Sequence, residues 1–301
     1  MRFHFLLTNH YPYGCYRIED VVVPIAAGLA ELGHTVTYGF DDDIPAWPAV
    51  NLVVENFNDP AVVEAIERRR KGRERHAFGL IAYEDIADPG VFAHEGFPDR
   101  LANLRRALAL MDFGWTIVPC DYSAFEGGAR MRFLQYGYTK SLRRASVLPR
   151  DLDILFYSDL GPRRVPMFNR LVQRGLSVAA TFGMLPEYMK FDLIDRSRVI
   201  ADARRDDGVR FLAPTRIAMA LHAGVTVVSE QHDTGPLADL YRYVVTAAPG
   251  GEFLDICAGI ARNPDALGLG AATREAFAKD TSMARNLGIV MDAPIFVELA
   301  G

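Results

Sequence analysis

The sequence predicts an α/β protein of two Rossmann-like halves facing a cleft, and three observations lead there. Strand, helix and strand alternate from the start of the chain, the alternation breaks near residues 145–151, and it then begins afresh. A length of 301 residues accommodates two domains of ordinary size, taken as 1–148 and 149–301. Apolar residues make up 50% and charged residues 24%, a packed globular composition that excludes a disordered chain. Ligands of parallel sheets sit beyond the carboxyl ends of the strands. The loops of interest are therefore 8–16, 55–58, 84–97, 158–164, 182–188, 203–216 and 229–237.

Residues 2–7 (RFHFLL) read as a buried strand, followed by a loop rich in Asn, Pro, Tyr and Gly. Apolar periodicity over 18–32 predicts a helix, with Pro24 expected to kink it and Gly33 to close it in the left-handed conformation. Residues 34–39 (HTVTYG) return as a strand. Next come a strand at 50–55, a helix at 59–71 opened by Asp59-Pro60, a strand at 76–83, a helix at 98–111, and strands at 115–119 and 132–136. Past Pro149-Arg150 the pattern restarts with a strand at 152–158, a helix at 165–174 closed by Gly175, and a strand at 177–181. Strands at 198–202 and 225–229 flank a helix near 212–223, and from Glu252 the chain reads as mostly helical. The last helix is free to pack back on the first half.

The net charge of −5, from 33 basic and 38 acidic residues, excludes nucleic-acid binding by a bulk positive field but allows a local basic pocket. Cys15, Cys120 and Cys257 are far apart and lack CxxC spacing, which argues against a disulfide framework or structural zinc and for small apolar packing. The charged run at 67–75 reads as the solvated end of a helix. No secretory leader follows Met1, and the apolar runs at 21–30 and 217–229 are shorter than the roughly 20 residues that span a bilayer, so a soluble cytoplasmic protein is expected. No GxSxG, P-loop, HExxH or intact GxGxxG is present, which lowers the weight of hydrolase, NTPase, zinc-protease and dehydrogenase readings.

Several strand-end residues could carry chemistry. Ser158-Asp-Leu-Gly-Pro-Arg163-Arg164 leads into a helix, where backbone N–H groups favour an anion and a guanidinium can grip phosphate oxygens. Arg210 and Arg216 flank Ala213-Pro214-Thr215 ahead of an apolar helix, with Thr215 as a cap or Pro214 in the first turn. An arginine at that positive end is better explained by a bound phosphate. Glu230, just past a strand, either accepts hydrogen bonds from sugar or ribose hydroxyls or opens a helix. In the first half His10 sits past the first strand, among Tyr11, Tyr13 and Gly14, as a base or polar anchor. Glu55 and Glu84 also follow strands, and either carboxylate could act as a general base. Asp41-Asp42-Asp43 reads as an exposed run rather than a metal site, and His222 as a core histidine.

RFHFLLTNHYPYG…PIAAGLAELGHTVTYG at 2–39 resembles the opening of glycosyltransferases of the GT-B fold, down to the "GH-V" second strand. DILFYSDLGPRR…LVQRGLSVAATFG at 153–183, continued by RVIAD…RFLAPTRIAMALHAGVTVVSE at 198–230, resembles the bacterial spore-maturation-type branch of those proteins. The resemblance implies a hexosyltransferase-like enzyme with a nucleotide-diphosphate sugar as donor and a carbohydrate or other hydroxyl as acceptor. It implies neither a metal ion nor any other cofactor, no nucleic acid and no transmembrane segment, with self-association allowed. Arg163, Arg164 and Arg216 would lie about the donor diphosphate and Glu230 about ribose or sugar, with Ser158 and Arg210 as further donor-binding candidates. His10, or a nearby carboxylate such as Glu84, would serve the acceptor. Met219 stands where the family carries an acidic residue, three after the arginine. That departure keeps open a degenerate GT-B scaffold that binds nucleotide or carbohydrate, and a nucleotide-sugar epimerase of the same fold is a further alternative.

Overall fold

The computed structural model describes residues 1–7, 15–40, 45, 47, 49–71, 76–93, 95–144, 149–158, 160–181, 185–211, 213–231, 235–263, 265–292 and 295–296, without the side chains of 15, 17, 69, 89, 90 and 129. The chain divides into two compact units. One comprises Met1–Cys15, Val21–Gln135 and Met283–Gly301, and the other Tyr16–Asp20 and Tyr136–Ser282.

The first unit is built on β1 (Arg2–Leu6), α1 (Cys15–Glu31), β2 (Thr35–Gly39), β3 (Val50–Val54), α2 (Pro60–Arg70), β4 (Ala77–Ala82), α3 (Pro89–Phe92), α4 (Arg100–Leu110), β5 (Phe113–Thr116) and β6 (Met131–Phe133). Its six strands are all parallel in the order β2-β1-β3-β4-β5-β6. β3 and β4 are buried along their whole length, as central strands covered on both faces are, which explains their unbroken apolar sequences. Helix α1 continues through Pro24, and Gly33 follows it at φ +80°, a conformation that lets the chain turn straight into β2. Asp59 caps α2 through its carboxylate, with Pro60 in the first turn. Residues 72–75 of the charged run lie outside the described residues, and Arg70, at the far end of α2, is half-buried. It pairs with Asp112 at 2.6 Å, and Asp112 also accepts from the Phe78 N–H.

The second unit holds β7 (Leu152–Phe156), α5 (Arg164–Gln173), β8 (Val178–Ala180), α6 (Glu187–Arg196), β9 (Ser197–Asp202), α7 (Pro214–His222), β10 (Thr226–Glu230), α8 (Ala238–Tyr241), β11 (Val245–Ala247), α9 (Gly251–Arg262) and α10 (Ala266–Asp280). Its five parallel strands run β11-β10-β9-β7-β8, and the core gathers Ile154, Phe156, Leu171, Val199, Val228 and Phe253. Cys257 is fully buried there, as an apolar packing residue would be, whereas Cys120 of the first unit is half-buried and its thiol lies 3.4 Å from Asp85 Oδ1. His222 is a core histidine. Its Nε2 accepts from the Thr139 N–H at 2.9 Å, and its Nδ1 faces the Ala218 carbonyl at 2.7 Å.

A final helix, α11 (Met283–Val290), belongs to the first unit. It approaches α1 closely at Gly28, where a Cβ would lie 2.7 Å from Leu287 and Met283 side-chain atoms, so a larger residue there would have to displace those side chains. Beyond it, Phe296 packs edge-on to Phe113 at 4.7 Å and over Trp115 at 6.3 Å. Elements that the sequence did not signal are α3, α6, α8 and β11. Strands β5 and β6 also begin earlier than expected, at Phe113 and Met131. Among the described residues no helix is long and apolar enough to cross a membrane.

Candidate functional site

In each sheet the strand order reverses beside the first strand, between β1 and β3 in one unit and between β7 and β9 in the other. The carboxyl edge at such a reversal leaves a crevice, because the chain leaves the two neighbouring strands toward opposite faces. In the second unit this edge collects Tyr157 and Ser158 after β7, Asp202 and Ala203 at the end of β9, and Glu230 at the end of β10. The register sets Asp202 beside Ser229, one residue before Glu230.

Two of the predicted residues form an ion pair here. Glu230 is fully buried, and Arg163 grips its carboxylate with two hydrogen bonds, Nη1–Oε2 at 2.6 Å and Nη2–Oε1 at 2.8 Å. The Arg204 N–H donates to Oε2 at 2.8 Å, and Arg163 Nη1 also reaches the Arg204 carbonyl at 3.3 Å. Both Glu230 oxygens are therefore engaged, and the loops after β7 and β9 are tied to β10. Arg164, the first residue of α5, turns inward. Its Nε and Nη2 donate to the Ala203 carbonyl at 3.0 and 2.8 Å, with the residue 5% exposed.

Arg216 lies in the first turn of α7. Pro214 occupies the first helical position, and Ala213, at the cap, provides no side-chain acceptor, so Thr215 is not the cap. The first-turn N–H groups and the guanidinium are together suited to an anion. Arg216 is half-buried and within electrostatic reach of Asp202, Tyr157 and Tyr241. Burial pushes the Asp202 carboxyl up to about 6, Arg216 and Arg164 draw it back, and Glu230 raises it further. Burial likewise holds the Tyr157 and Tyr241 hydroxyls well above their ordinary range. Asp202 was not among the residues singled out in the sequence. An acid ending a buried apolar strand (RVIAD) is the signal that could have found it.

Arg210, another of the predicted residues, is exposed and its guanidinium lies over the Phe211 ring at 5.2 Å. Glu84 follows β4 in the first unit and is half-buried, with its carbonyl 3.8 Å from the Cys120 thiol. Glu55 is 1% exposed and held by Arg100 through Nε at 3.1 Å and Nη2 at 3.0 and 2.8 Å, an arrangement that binds α4 to β3. His10 and Asp41-Asp42-Asp43 lie outside the described residues. Among the described residues, no three His, Cys, Asp or Glu side chains are grouped so as to hold a metal ion.

No protein-family model matches the sequence, and no curated protein matches it in sequence. Solved structures do resemble it. HepE (Alr3699) of Anabaena, in complex with UDP and glucose, is 12% identical over 97% of this chain and 99% of that one, with a TM-score of 0.59. Sucrose-phosphate synthase from Thermosynechococcus elongatus is 12% identical over 99% and 100% of the two chains, at 0.59. AviGT4, a glycosyltransferase involved in avilamycin A biosynthesis, is 14% identical over 99% and 96%, at 0.57. The likeness spans both units and establishes the two-domain α/β GT-B fold.

Proposed function

We propose that the chain is a glycosyltransferase that moves a hexose from a nucleoside-diphosphate sugar to an acceptor hydroxyl, in the cytoplasm and without a metal ion. The observation that carries this reading is Arg216 in the first turn of α7, whose cap has no side-chain acceptor, at the strand-order reversal of the second sheet. A departing diphosphate develops negative charge there, and fixed N–H dipoles with a guanidinium stabilise it without reorganisation. The Arg163–Glu230 pair holds the surrounding loops in place, and Ser158 lines the same strand edge. In the first unit, His10 takes the proton of the acceptor hydroxyl if the enzyme inverts, with Glu84 as the alternative base. HepE has been solved with UDP-glucose as well as with UDP and glucose, which makes UDP the first nucleotide to try.

Calorimetric titration with nucleoside diphosphates in chelator tests the donor half of this reading. Arg216→Ala should weaken binding by about 1.5–3 kcal/mol, roughly ten- to 150-fold, the cost of a lost charged hydrogen bond. Unchanged affinity would remove Arg216 from the site, and a strict requirement for divalent metal would overturn the metal-free mechanism. A second reading has its own observation. Met219 is buried within α7, so no carboxylate is offered from that position, and the chain would bind donor without turnover. Release of nucleoside diphosphate from a nucleotide sugar, lost on replacing Arg216 or His10, separates catalysis from binding alone.

A further inference from the structure

We infer that Asp202 accepts a hydrogen bond from a sugar hydroxyl of the donor, and so determines preference for a hydroxylated ligand at this site. The inference rests on the transferase reading above and deepens it. Asp202 ends β9 at the strand-order reversal and is 4% exposed. Its Oδ2 is buried, and no described residue donates to it. A buried acceptor left without a donor is costly, and such an atom at a ligand edge is one that a ligand completes.

The surroundings specify the kind of group. Among the described residues, the groups within electrostatic reach of Asp202 include Arg164 of α5, Arg216 of α7, Glu230 of β10 and Tyr241 of α8. Arg164 spends Nε and Nη2 on the Ala203 carbonyl, and Glu230 is taken up by Arg163 and the Arg204 N–H. A carboxylate oxygen does not receive a phosphate, since both are acceptors, but it does receive an O–H. Arg216 offsets its charge, so that a diphosphate and a hydroxyl acceptor coexist a short way apart on one donor. With burial placing the carboxyl at about 6, the group is ionised and able to accept at pH 7.5.

Two hydroxyl sources fit, the ribose and the hexose. Calorimetry at pH 7.5 with UDP, 2′-deoxy-UDP, 3′-deoxy-UDP, UDP-glucose and inorganic pyrophosphate distinguishes them. The titrations would use the unaltered chain, Asp202→Ala and the near-isosteric Asp202→Asn, with thermal unfolding confirming that each variant folds. If the ribose is read, UDP binds about tenfold more tightly than one of its deoxy analogues, and Asp202→Ala abolishes that preference. If the hexose is read, the deoxy analogues match UDP, and the extra affinity of UDP-glucose over UDP disappears in the variant. Pyrophosphate affinity stays within twofold in both cases. The inference is overturned if Asp202→Ala keeps every preference of the unaltered chain, as it would if water alone met Oδ2. It is equally overturned if pyrophosphate binding falls in step with UDP, which would mark a structural role. Binding of neither UDP nor UDP-glucose by the unaltered chain, repeated with ADP and GDP and their sugars, would overturn the transferase reading itself.

Discussion

Arg100→Met should destabilise the first unit by about 3–5 kcal/mol, because it leaves the Glu55 carboxylate buried with no countercharge. The pair is among the least exposed in the protein, at 10% and 1% of the two side chains, and Arg100 also lies over the Phe92 ring at 4.8 Å. The Tyr83 hydroxyl nearby already sits well above its usual range through burial, with Glu55 and Glu84 adding to the effect and Arg100 opposing it. Removing the arginine therefore raises the cost of every negative charge in this pocket. Arg100→Met combined with Glu55→Gln should recover much of the loss, since deleting both charges removes the desolvation cost of each. Urea unfolding of the two single variants and the double variant gives the coupling directly. A loss under 1 kcal/mol in Arg100→Met would show that Glu55 is neutral or hydrated in the folded chain.

His222 and Asp202 should give the second unit two opposite dependences on pH. Burial lowers the His222 imidazolium to about 4, with the Ala218 carbonyl opposing the shift slightly. The ring accepts from the Thr139 N–H, lies parallel to Tyr138 at 5.0 Å and meets Phe277 edge-on at 5.5 Å. The unfolded chain takes up this proton below about 6.5 and the folded chain only near 4. The contribution is thus complete above pH 6.5 and lost as pH falls to 4, a total of about 3 kcal/mol. Asp202 runs the other way. Its folded value of about 6 exceeds the unfolded 3.8, so stability is present below 3.8 and lost as pH rises through 6, again by about 3 kcal/mol.

Between pH 4 and 6 the two slopes nearly cancel. His222→Gln should therefore uncover a fall in stability with rising pH, and Asp202→Asn a rise. Asp202→Asn should also be more stable than the unaltered chain at pH 7.5, by up to about 3 kcal/mol. Urea titrations at pH 4, 5, 6 and 7.5 measure both. Slopes in His222→Gln that match the unaltered chain would mean that the ring is already charged when folded.

The parts of the fold legible in the sequence are those in which local chemistry and burial agree. VNLVV and AFGLIA are short apolar runs that read as strands and are buried along their length, and Gly33 and Gly175 sit where a helix end needs positive φ. Helix α6 escaped notice for the opposite reason. Its buried residues are Lys190, Ile194 and Asp195, so two-thirds of its inward face is charged and no apolar stripe marks it. Lys190 donates to the Tyr16 carbonyl and Glu19, and Arg144 grips Asp195 through Oδ2, partners that periodicity does not reveal. The loops of the site followed from the alternation itself, which placed Arg163 and Arg216 on segments that follow strands and Glu230 at a strand end. That Arg163 spends itself on Glu230, 67 residues away, needed the folded sheet.

The closing contacts of the first sheet have a consequence for synthesis on the ribosome. Gly28 waits for Met283 and Leu287, and the Phe113–Trp115 surface waits for Phe296, so this unit is completed only by residues past 282. The intervening 136–282 must be translated first and contains a whole sheet of its own. The unit that begins first is therefore finished second. Until then it carries an uncovered aromatic patch, which makes the nascent chain dependent on whatever shields such surfaces during elongation.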